Sequence, residues 1–514
     1  MNQSSVLQMH GIYKRFDANQ ALDDVSIEVK NNEIYGLLGG NGAGKTTLMN
    51  ILYGLYKMDA GEINLFGNKV EISSPQDAIQ LGIGMVHQHF LQFRNFSVLH
   101  NIVVGTRIKK PYTMNLAAEE KKIKGLCERF GMPVDLDMPI EELSMGICQK
   151  VEILKALYRG VKILILDEPT TNLTPQEVDD LFRSLKVMVK EGLSIVFITH
   201  KLREVMSVCD RISVLRNGRN ILTVGRAEAS EEMLVKGMVG KEIDVEKSVI
   251  FSKSETKTER ISNQAIVQVD NLQMEGKESI TLLKDISFEI HQGEIFGIAG
   301  VAGNGQRELA EALVGVQALT GGHVSINGMT ASQMSSRDLF EHGVAYIPED
   351  RLTDGFLHKA NVAQNLILGF HRLAPYSRSG FIKWGMVFDA TRQLIAEYNV
   401  KTTGPQDLGG NLSGGNIQRV MIARAFSRPF KFLVAHNATR GLDIPSMDFV
   451  YSRLKERKKD GTAILLISED LDELLLLCDR MGVLFSGQMV GILERSKFEK
   501  YEIGRMMSGV KSNT

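Results

Sequence analysis

The run from Gly39 to Thr46 is rich in glycine, ends in lysine and threonine, and fits the pattern G-x-x-x-x-G-K-[S/T]. Glycines in such a loop let successive backbone N–H groups converge on phosphate oxygens, and a helix that begins there adds partial positive charge. Lys45 can reach the β- and γ-phosphates of a nucleotide, and the Thr46 hydroxyl can ligate Mg²⁺. The predicted nucleotide-binding residues are Gly39, Gly40, Asn41, Gly42, Ala43, Gly44, Lys45, Thr46 and Thr47.

Two adjacent carboxylates, Asp167 and Glu168, follow the apolar segment 163–166. A carboxylate at the end of a buried strand that faces a phosphate loop can hold Mg²⁺. The next carboxylate can then polarise the attacking water as a general base. We therefore predict Asp167 as a metal ligand and Glu168 as the base.

The elements that must position these groups follow an alternating pattern. Segments 163–166 and 194–198 are short, apolar and rich in β-branched residues, which predicts buried parallel strands. Segments 46–55 and 175–190 predict helices, the second with Thr174 and Pro175 at its start. Strands that alternate with helices indicate an α/β fold.

The chain repeats itself. Residues 22–29 match 283–290 at an offset of 261, and residues 143–144 match 412–413 at an offset of 269. A register that holds over long stretches, with one insertion of eight residues between them, indicates a duplicated domain.

Further motifs make the chain resemble the ATP-binding-cassette (ABC) family, over essentially its whole length and twice. Residues 143–146 resemble the family's signature motif, and residues 412–416 resemble it more closely. Gln88 is similar to its Q-loop glutamine, which links Mg²⁺ to a membrane partner, and His200 to its switch histidine, which contacts the γ-phosphate. Phe16 is similar to its adenine-stacking aromatic residue.

This resemblance implies an α/β fold with two tandem P-loop NTPase domains of ABC type. Each would have a RecA-like core, an antiparallel β subdomain and a helical subdomain. We place the first domain at residues 5–243, a polar linker at 244–264 and the second domain at 265–511. The implied cofactors are ATP and Mg²⁺, the metal ligands Thr46, Gln88 and Asp167, and the catalytic residues Lys45, Glu168 and His200.

The second half lacks this chemistry at the matching positions. Gln306 cannot supply the charge of Lys45, and Asn437 cannot accept a proton as Glu168 can. We expect this half to bind Mg-ATP weakly, if at all, and not to hydrolyse it. The matched pairs are Lys45 with Gln306, Thr46 with Arg307, Gln88 with Glu349, Asp167 with His436, Glu168 with Asn437, and His200 with Glu469.

The signatures show the opposite bias. The second is intact, whereas the first carries Met145 and Ile147 at positions usually small or polar. Asp443 of the D-loop is likewise replaced by Thr174 in the first half. In the family, two domains meet head to tail, and each ATP lies between the Walker motifs of one and the signature of the other. We therefore expect the halves to pair with each other and to form one productive site, completed by Ser413, Gly414 and Gly415.

Composition excludes several other classes. Lys and Arg total 60 and Asp and Glu 61, so a net charge of −1 argues against a polybasic nucleic-acid binder, and no nucleic-acid partner is expected. The four cysteines form no CxxC pair, so neither zinc nor an iron–sulfur cluster is indicated. No signal peptide is recognisable, and no stretch reaches the ~18–20 apolar residues that span a bilayer. Any membrane association is therefore expected to come through a partner.

One-sided degeneracy and a short linker are typical of the simple-sugar and nucleoside importers of the family. The segment 84–90 resembles the nucleoside branch, although Cys148, His436 and Ala438 depart from it. The resemblance implies two transmembrane permease subunits, an extracytoplasmic solute-binding protein and a peripheral location at the cytoplasmic face of the membrane. Residues 90–98 are predicted to receive a coupling helix of the permease. The predicted solute is a nucleoside, with a simple sugar or another small polar solute as the alternative. The alternative function is that of a ribosome- or translation-associated tandem ABC ATPase.

Overall fold

The computed structural model describes residues 4–17, 19–88, 90–105, 115–171, 173–240, 248–250, 262–276 and 281–510. The chain divides into two compact units, residues 1–243 (unit 1) and 244–514 (unit 2). The predicted linker at 244–264 falls mainly outside the described residues. In the described part, no helix is long and apolar enough to cross a membrane.

Unit 1 contains ten strands and eight α-helices in its described residues. The strands are β1 (Ser5–Phe16), β2 (Asn19–Lys30), β3 (Ile34–Leu38), β4 (Ala60–Leu65), β5 (Asn68–Val70), β6 (Ile83–Val86), β7 (Ile163–Asp167), β8 (Ser194–Thr199), β9 (Arg211–Arg216) and β10 (Arg219–Gly225). The helices are α1 (Lys45–Leu52), α2 (Pro75–Gln80), α3 (Val98–Val103), α4 (Leu116–Phe130), α5 (Met145–Tyr158), α6 (Pro175–Lys190), α7 (Leu202–Val208) and α8 (Glu231–Val239).

Two sheets build unit 1. The central sheet has the order β10-β9-β3-β8-β7-β6, in which β10 is antiparallel to β9 and the other pairs are parallel. Strands β3, β7 and β8 are buried at every residue, because helices α6 and α7 cover one face of the sheet while α1 and the second sheet pack on the other. The second sheet, β2-β1-β4-β5, is antiparallel and shares a hydrophobic core with α1 and β3.

Unit 2 repeats this order of elements and adds a small hairpin. Its strands are β11 (Ala265–Glu275), β12 (Thr281–His291), β13 (Ile295–Ala299), β14 (Gly321–Ile326), β15 (Met329–Thr330), β16 (Val344–Ile347), β17 (Ser377–Arg378), β18 (Phe381–Ile382), β19 (Phe432–His436), β20 (Ala463–Ser468), β21 (Arg480–Phe485) and β22 (Gln488–Glu494). Its helices are α9 (Gln306–Leu313), α10 (Ser336–Glu341), α11 (Val362–Leu366), α12 (Trp384–Glu397), α13 (Gly414–Phe426), α14 (Ile444–Lys459), α15 (Leu471–Leu477) and α16 (Lys500–Met507).

The sheets of unit 2 match those of unit 1. The central sheet has the order β16-β19-β20-β13-β21-β22, and an antiparallel sheet has the order β12-β11-β14-β15. In each unit a group of helices packs together beside the sheets: α3, α4 and α5 in unit 1, and α11, α12 and α13 in unit 2. The predicted α/β class, with a parallel core, an antiparallel β subdomain and a helical subdomain in each half, is confirmed.

Of the two helices predicted in unit 1, one has the predicted bounds and the other ends earlier than predicted. Helix α6 spans the predicted residues 175–190, because Thr174 and Glu177 form a reciprocal capping box and Pro175 occupies the first turn. Helix α1 ends at Leu52, three residues before the predicted end at 55. Gly54 (φ 76°) turns the chain there, and a Cβ atom on it would lie 2.5 Å from the Ser74 carbonyl oxygen.

The expected single insertion of eight residues is wrong, because the structure divides it. The Asn101 side chain accepts from the N–H of Phe93 and donates to its carbonyl, at 2.8 and 3.0 Å. Asn365 makes the same two contacts with Leu357, at 2.8 and 2.9 Å. This pair of positions has an offset of 264, so three residues are inserted before it and the other five after it.

Candidate functional site

Four neighbouring parallel strands of unit 1 end at one edge of the central sheet. Strand β3 leads into the glycine-rich loop, β8 into His200, β7 into Glu168 and β6 into Gln88. Because the carboxyl ends of parallel strands meet at the same edge, these side chains lie close together although they are far apart in sequence.

The loop from Gly39 to Thr46 requires glycine at defined points. Gly44 has a left-handed φ of 101°, and a Cβ atom there would lie 2.8 Å from the Ala21 carbonyl oxygen. A Cβ atom on Gly39 would lie 2.5 Å from the Leu215 carbonyl oxygen. The loop can therefore curve tightly over the start of α1, which leaves its backbone N–H groups accessible to an anion.

The Lys45 side chain folds over this loop. Its Nζ donates to the carbonyl oxygens of Gly39 (2.7 Å) and Gly40 (3.0 Å), and the residue is buried. Burial lowers the pKa of Lys45, although the charges of Glu168 and Asp167 oppose that shift. A phosphate would supply the counter-charge that these neutral carbonyls lack.

Asp167 and Thr46 lie side by side, with the Thr46 hydroxyl donating to Asp167 Oδ2 at 3.1 Å. Burial raises the pKa of Asp167 to about 6, helped by the nearby charge of Glu168. A buried carboxylate beside a hydroxyl oxygen, short of positive charge, fits a hard divalent cation such as Mg²⁺. The predicted ligands Thr46 and Asp167 are thus together.

Glu168 is the centre of the second group. His200 Nδ1–H donates to Glu168 Oε1 at 2.9 Å, and Gln88 Nε2–H donates to Oε2 at 3.3 Å. Burial favours the neutral acid, but the His200 hydrogen bond and the charges of His200, Lys45 and Lys201 outweigh it and lower the pKa of Glu168. Gln88, predicted as a metal ligand, therefore contacts the predicted base.

Phe16 ends β1, where its ring packs edge-on against Tyr56 with centroids 5.2 Å apart. The side chain stays exposed, with 38% of its surface accessible, so it can stack on a planar ligand.

Glu204, which was not predicted from the sequence, is buried behind the site. Its carboxylate accepts from Thr170 (2.5 Å) and Thr199 (2.7 Å), and so joins the loop that follows β7 to the end of β8. Glu473 does the same in unit 2 with Thr439 (2.8 Å) and Ser468 (2.5 Å). The signal was available, because both glutamates obey the offset of 269.

In unit 2 the Gln306 side chain contacts the backbone of the corresponding loop, in the place that Lys45 takes in unit 1. Gln306 Nε2 donates to the Val301 carbonyl (2.9 Å), which matches Gly40 in the repeat. Gln306 Oε1 accepts from the Asn304 N–H at 3.0 Å, so the amide engages a loop donor of the kind that binds phosphate. Arg307, in place of Thr46, pairs with Glu311 at 2.7 Å.

The strand ends of unit 2 form an internal network. Glu349 Oε1 accepts from Asn437 Nδ2 (3.0 Å) and from Arg440, while His436 Nε2 lies 3.6 Å from Oε2. Glu469, in place of His200, lies 3.5 Å from Arg440. Burial raises the pKa of Glu469, and it lowers the pKa of His436 despite the opposing charge of Glu349.

The two signature segments differ in how their serines are used. Ser144 caps α5, accepting from the Ile147 N–H at 3.4 Å. Ser413 holds the N-cap position of α13, but its side chain makes no capping hydrogen bond, and its hydroxyl instead accepts from the Asn416 side chain at 2.8 Å. The Glu177 carboxylate lies so close to Gly146 that a Cβ atom there would clash with it. In the second signature, no acid of the described residues lies within 4 Å of a Cβ atom built on Gly414 or Gly415. An anion is therefore better accommodated at the second signature.

The chain is similar to known proteins over its whole length. The family model described as "ABC transporter" matches residues 22–171 and 283–440. The nucleoside import ATP-binding protein NupA of Lactococcus lactis subsp. cremoris is 38% identical over 100% of both chains. The guanosine import ATP-binding protein NupO of Bacillus subtilis is 38% identical over 98% of this chain and 97% of its own. The glucose import ATP-binding protein TsgD13 of Haloferax volcanii is 37% identical over 99% and 96%.

Proposed function

Because the chain belongs to the ABC transporter family, as an ATPase subunit that energises a membrane importer, we propose that it hydrolyses ATP at one site per chain to drive uptake of nucleosides. The observation that carries this proposal is the asymmetry of the two units. Lysine, carboxylates and histidine meet at the strand ends of unit 1, whereas an amide and an internal ion network occupy the same places in unit 2.

In unit 1, the loop from Gly39 to Thr47 binds the phosphates of ATP and Phe16 stacks on the adenine. Thr46 and Asp167, with Gln88, would hold Mg²⁺, which when bound neutralises charge on the β- and γ-phosphates. Lys45 leaves the carbonyls it now contacts and binds the phosphates. Glu168 accepts a proton from the attacking water. His200, which is already hydrogen-bonded to Glu168, holds the Glu168 carboxylate in place and stabilises charge on the transferred group.

The site is completed by the signature of unit 2. Ser413, Gly414 and Gly415 would contact the γ-phosphate, with the two units pairing head to tail. Two observations support this: the Ser413 side chain makes no capping hydrogen bond, and Glu177 crowds the alternative signature at Gly146. The corresponding domain boundaries are 5–243 and 265–511, joined by residues 244–264.

The partners would be two permease subunits and, through them, an extracytoplasmic solute-binding protein, with the chain peripheral at the cytoplasmic face of the membrane. Leu91, Phe93 and Phe96, in the segment after Gln88, have 68%, 56% and 46% of their surfaces exposed. Exposed apolar side chains this close together are typical of a protein-binding surface. We place the coupling helix of one permease subunit there.

The nucleoside assignment rests on similarity alone, because this subunit does not contact the solute. Two of the relatives are named for nucleoside or guanosine import and a third for glucose import.

Affinity purification of the tagged chain from gently solubilised cells tests the proposal. We expect two polytopic membrane proteins and a solute-binding protein that binds nucleosides more tightly than ribose or glucose. A binding protein that prefers a sugar would contradict the nucleoside assignment. Ribosomal subunits without membrane proteins would contradict the importer partners.

A further inference from the structure

Glu349 opens the segment of unit 2 that corresponds to the permease-facing segment of unit 1, and it is held by several partners at once. Arg440 and Asn437 both donate to Glu349 Oε1, and His436 lies near Oε2. The side chains of Arg440 and Glu349 are 43% and 28% exposed. An isolated ion pair at that exposure would contribute little to stability. A carboxylate that accepts from several donors, however, is held in one orientation.

A second connection crosses the first. Arg351, two residues after Glu349, donates to the Gly441 carbonyl at 3.5 Å. Gly441 has a φ of 68°, and a Cβ atom on it would lie 2.8 Å from the Arg351 guanidinium. The segment that begins at Glu349 and the loop around Arg440 therefore each hold the other through an arginine.

Unit 1 connects the same two places differently. Gln88 donates to Glu168, the predicted base, at 3.3 Å. The counterparts of Arg440 and Arg351 are Thr171 and Phe90, which cannot form an ion pair. The charged connection therefore belongs to the unit that lacks the hydrolytic residues.

The loop that carries Arg440 leads directly to Asp443. It is closed by two short hydrogen-bonded turns, from the Arg440 N–H to the Asn437 carbonyl and from the Leu442 N–H to the Thr439 carbonyl, both 3.1 Å. Asp443 then caps α14 by accepting from the Ser446 N–H at 3.0 Å. Because these hydrogen bonds connect Arg440 to Asp443 within one loop, we expect a displacement of Arg440 to move Asp443 as well.

We propose that Arg440 and Glu349 are a positioning pair that transmits the state of the permease from the Glu349 segment to the Asp443 loop, and so to hydrolysis at the unit 1 site, without nucleotide in unit 2. This inference rests on the proposed function. It assigns the degenerate unit a mechanical role: an ion pair takes the place that the Gln88–Glu168 contact has in unit 1.

A double-mutant cycle on the complete complex tests the pair. The readout is the ATPase rate of the chain with its permease divided by the rate of the chain alone, for Glu349→Gln, Arg440→Gln and the double variant. We expect each single change to reduce the permease effect roughly fivefold or more, with KM for ATP unchanged within about twofold. The double variant should lose no more than either single variant, because the two residues act as one unit.

A matched control is Arg337→Gln, which breaks an exposed ion pair with Glu341 (2.9 Å) on α10 of the same unit and should leave the ratio unchanged. A wild-type permease effect in either single variant, or a double variant that loses the product of the two single effects, would overturn the positioning pair. The complex that carries Glu168→Gln distinguishes a failure of the proposed function from a failure of the positioning pair. If it still hydrolyses ATP, the proposed function fails, and if only the cycle fails, the pairing alone is wrong.

Discussion

Glu168 and Asn437 occupy the same left-handed backbone position, at φ 48° and 46°, directly after β7 and β19. The N–H of each donates to the neighbouring strand, Glu168 to Ile198 at 3.0 Å and Asn437 to Ile467 at 2.8 Å. The two units therefore share the backbone conformation that presents the predicted general base, and only unit 1 carries a carboxylate on it.

The first prediction follows from this pair. Glu168→Gln should lower ATP turnover ~10²–10⁴-fold, the usual contribution of a positioned base, while ATP binding is retained. Asn437→Gly, which suits the left-handed backbone, should change the turnover of the chain alone, without its permease, by less than about threefold. Steady-state hydrolysis and equilibrium binding of ATP measure both. A large loss in the Asn437 variant would contradict the asymmetric assignment.

Asp167 should cost the nucleotide-free chain stability. Its pKa is about 6 in the folded chain against 3.8 ordinarily, so the folded chain favours the protonated carboxyl. The stability that the protonated carboxyl provides is fully present below pH 3.8 and is lost as the pH rises through 6. Asp167→Asn cannot ionise, so it should gain roughly 1–3 kcal/mol at pH 7.5 and about half that gain at pH 5. Urea unfolding without nucleotide at both values measures it. A destabilised variant at pH 7.5 would refute the burial argument.

The same carboxyl should make Mg²⁺ binding sensitive to acid. Because a proton and the cation compete for Asp167, Mg²⁺ affinity in the presence of ATP should fall as the pH drops below about 6, approaching tenfold per pH unit. Titrations of Mg²⁺ at several pH values check this. Glu168, whose pKa is lowered, should stay ionised over that range. An affinity that is flat from pH 7 to 5 would exclude Asp167 as a ligand.

The apolar surface after Gln88 should matter only to the assembled importer. Leu91→Ser with Phe93→Ser should reduce recovery of the permease with the tagged chain roughly tenfold or more, because both side chains are largely exposed anchors. The ATPase rate of the chain alone should not change. Ile221→Ser on β10, where the side chain is 39% exposed, is the matched control. Full recovery with the double variant would place the coupling helix elsewhere.

Local sequence signals predicted what local physics decides. The capping residues and first-turn proline fixed α6, and apolar β-branched runs identified β7 and β8. The duplicated register then showed which residues of unit 2 replace the chemistry of unit 1, and the grouping of Lys45, Asp167 and His200 at strand ends followed from the parallel sheet.

Side-chain contacts between segments far apart in the sequence could not be predicted from sequence patterns. Arg440 and Glu349 are 91 residues apart, and no periodicity or motif relates a charge to its partner over that distance. The divided insertion was missed for a similar reason: Asn101 and Asn365 were recognisable as equivalent only from their identical hydrogen bonds to loop backbone. The end of α1 depended on the close approach of Gly54 to Ser74, which is a tertiary contact.

Trapping of ADP by orthovanadate, counted per chain, tests the central claim most directly. Turnover at a site shared by the Walker residues of unit 1 and the signature of unit 2 predicts about one trapped ADP per chain. Ser413→Ala should lower trapping roughly tenfold, and Ser144→Ala should not, although it removes the cap of α5. Two ADP molecules per chain, or equal loss in both variants, would contradict a single productive site.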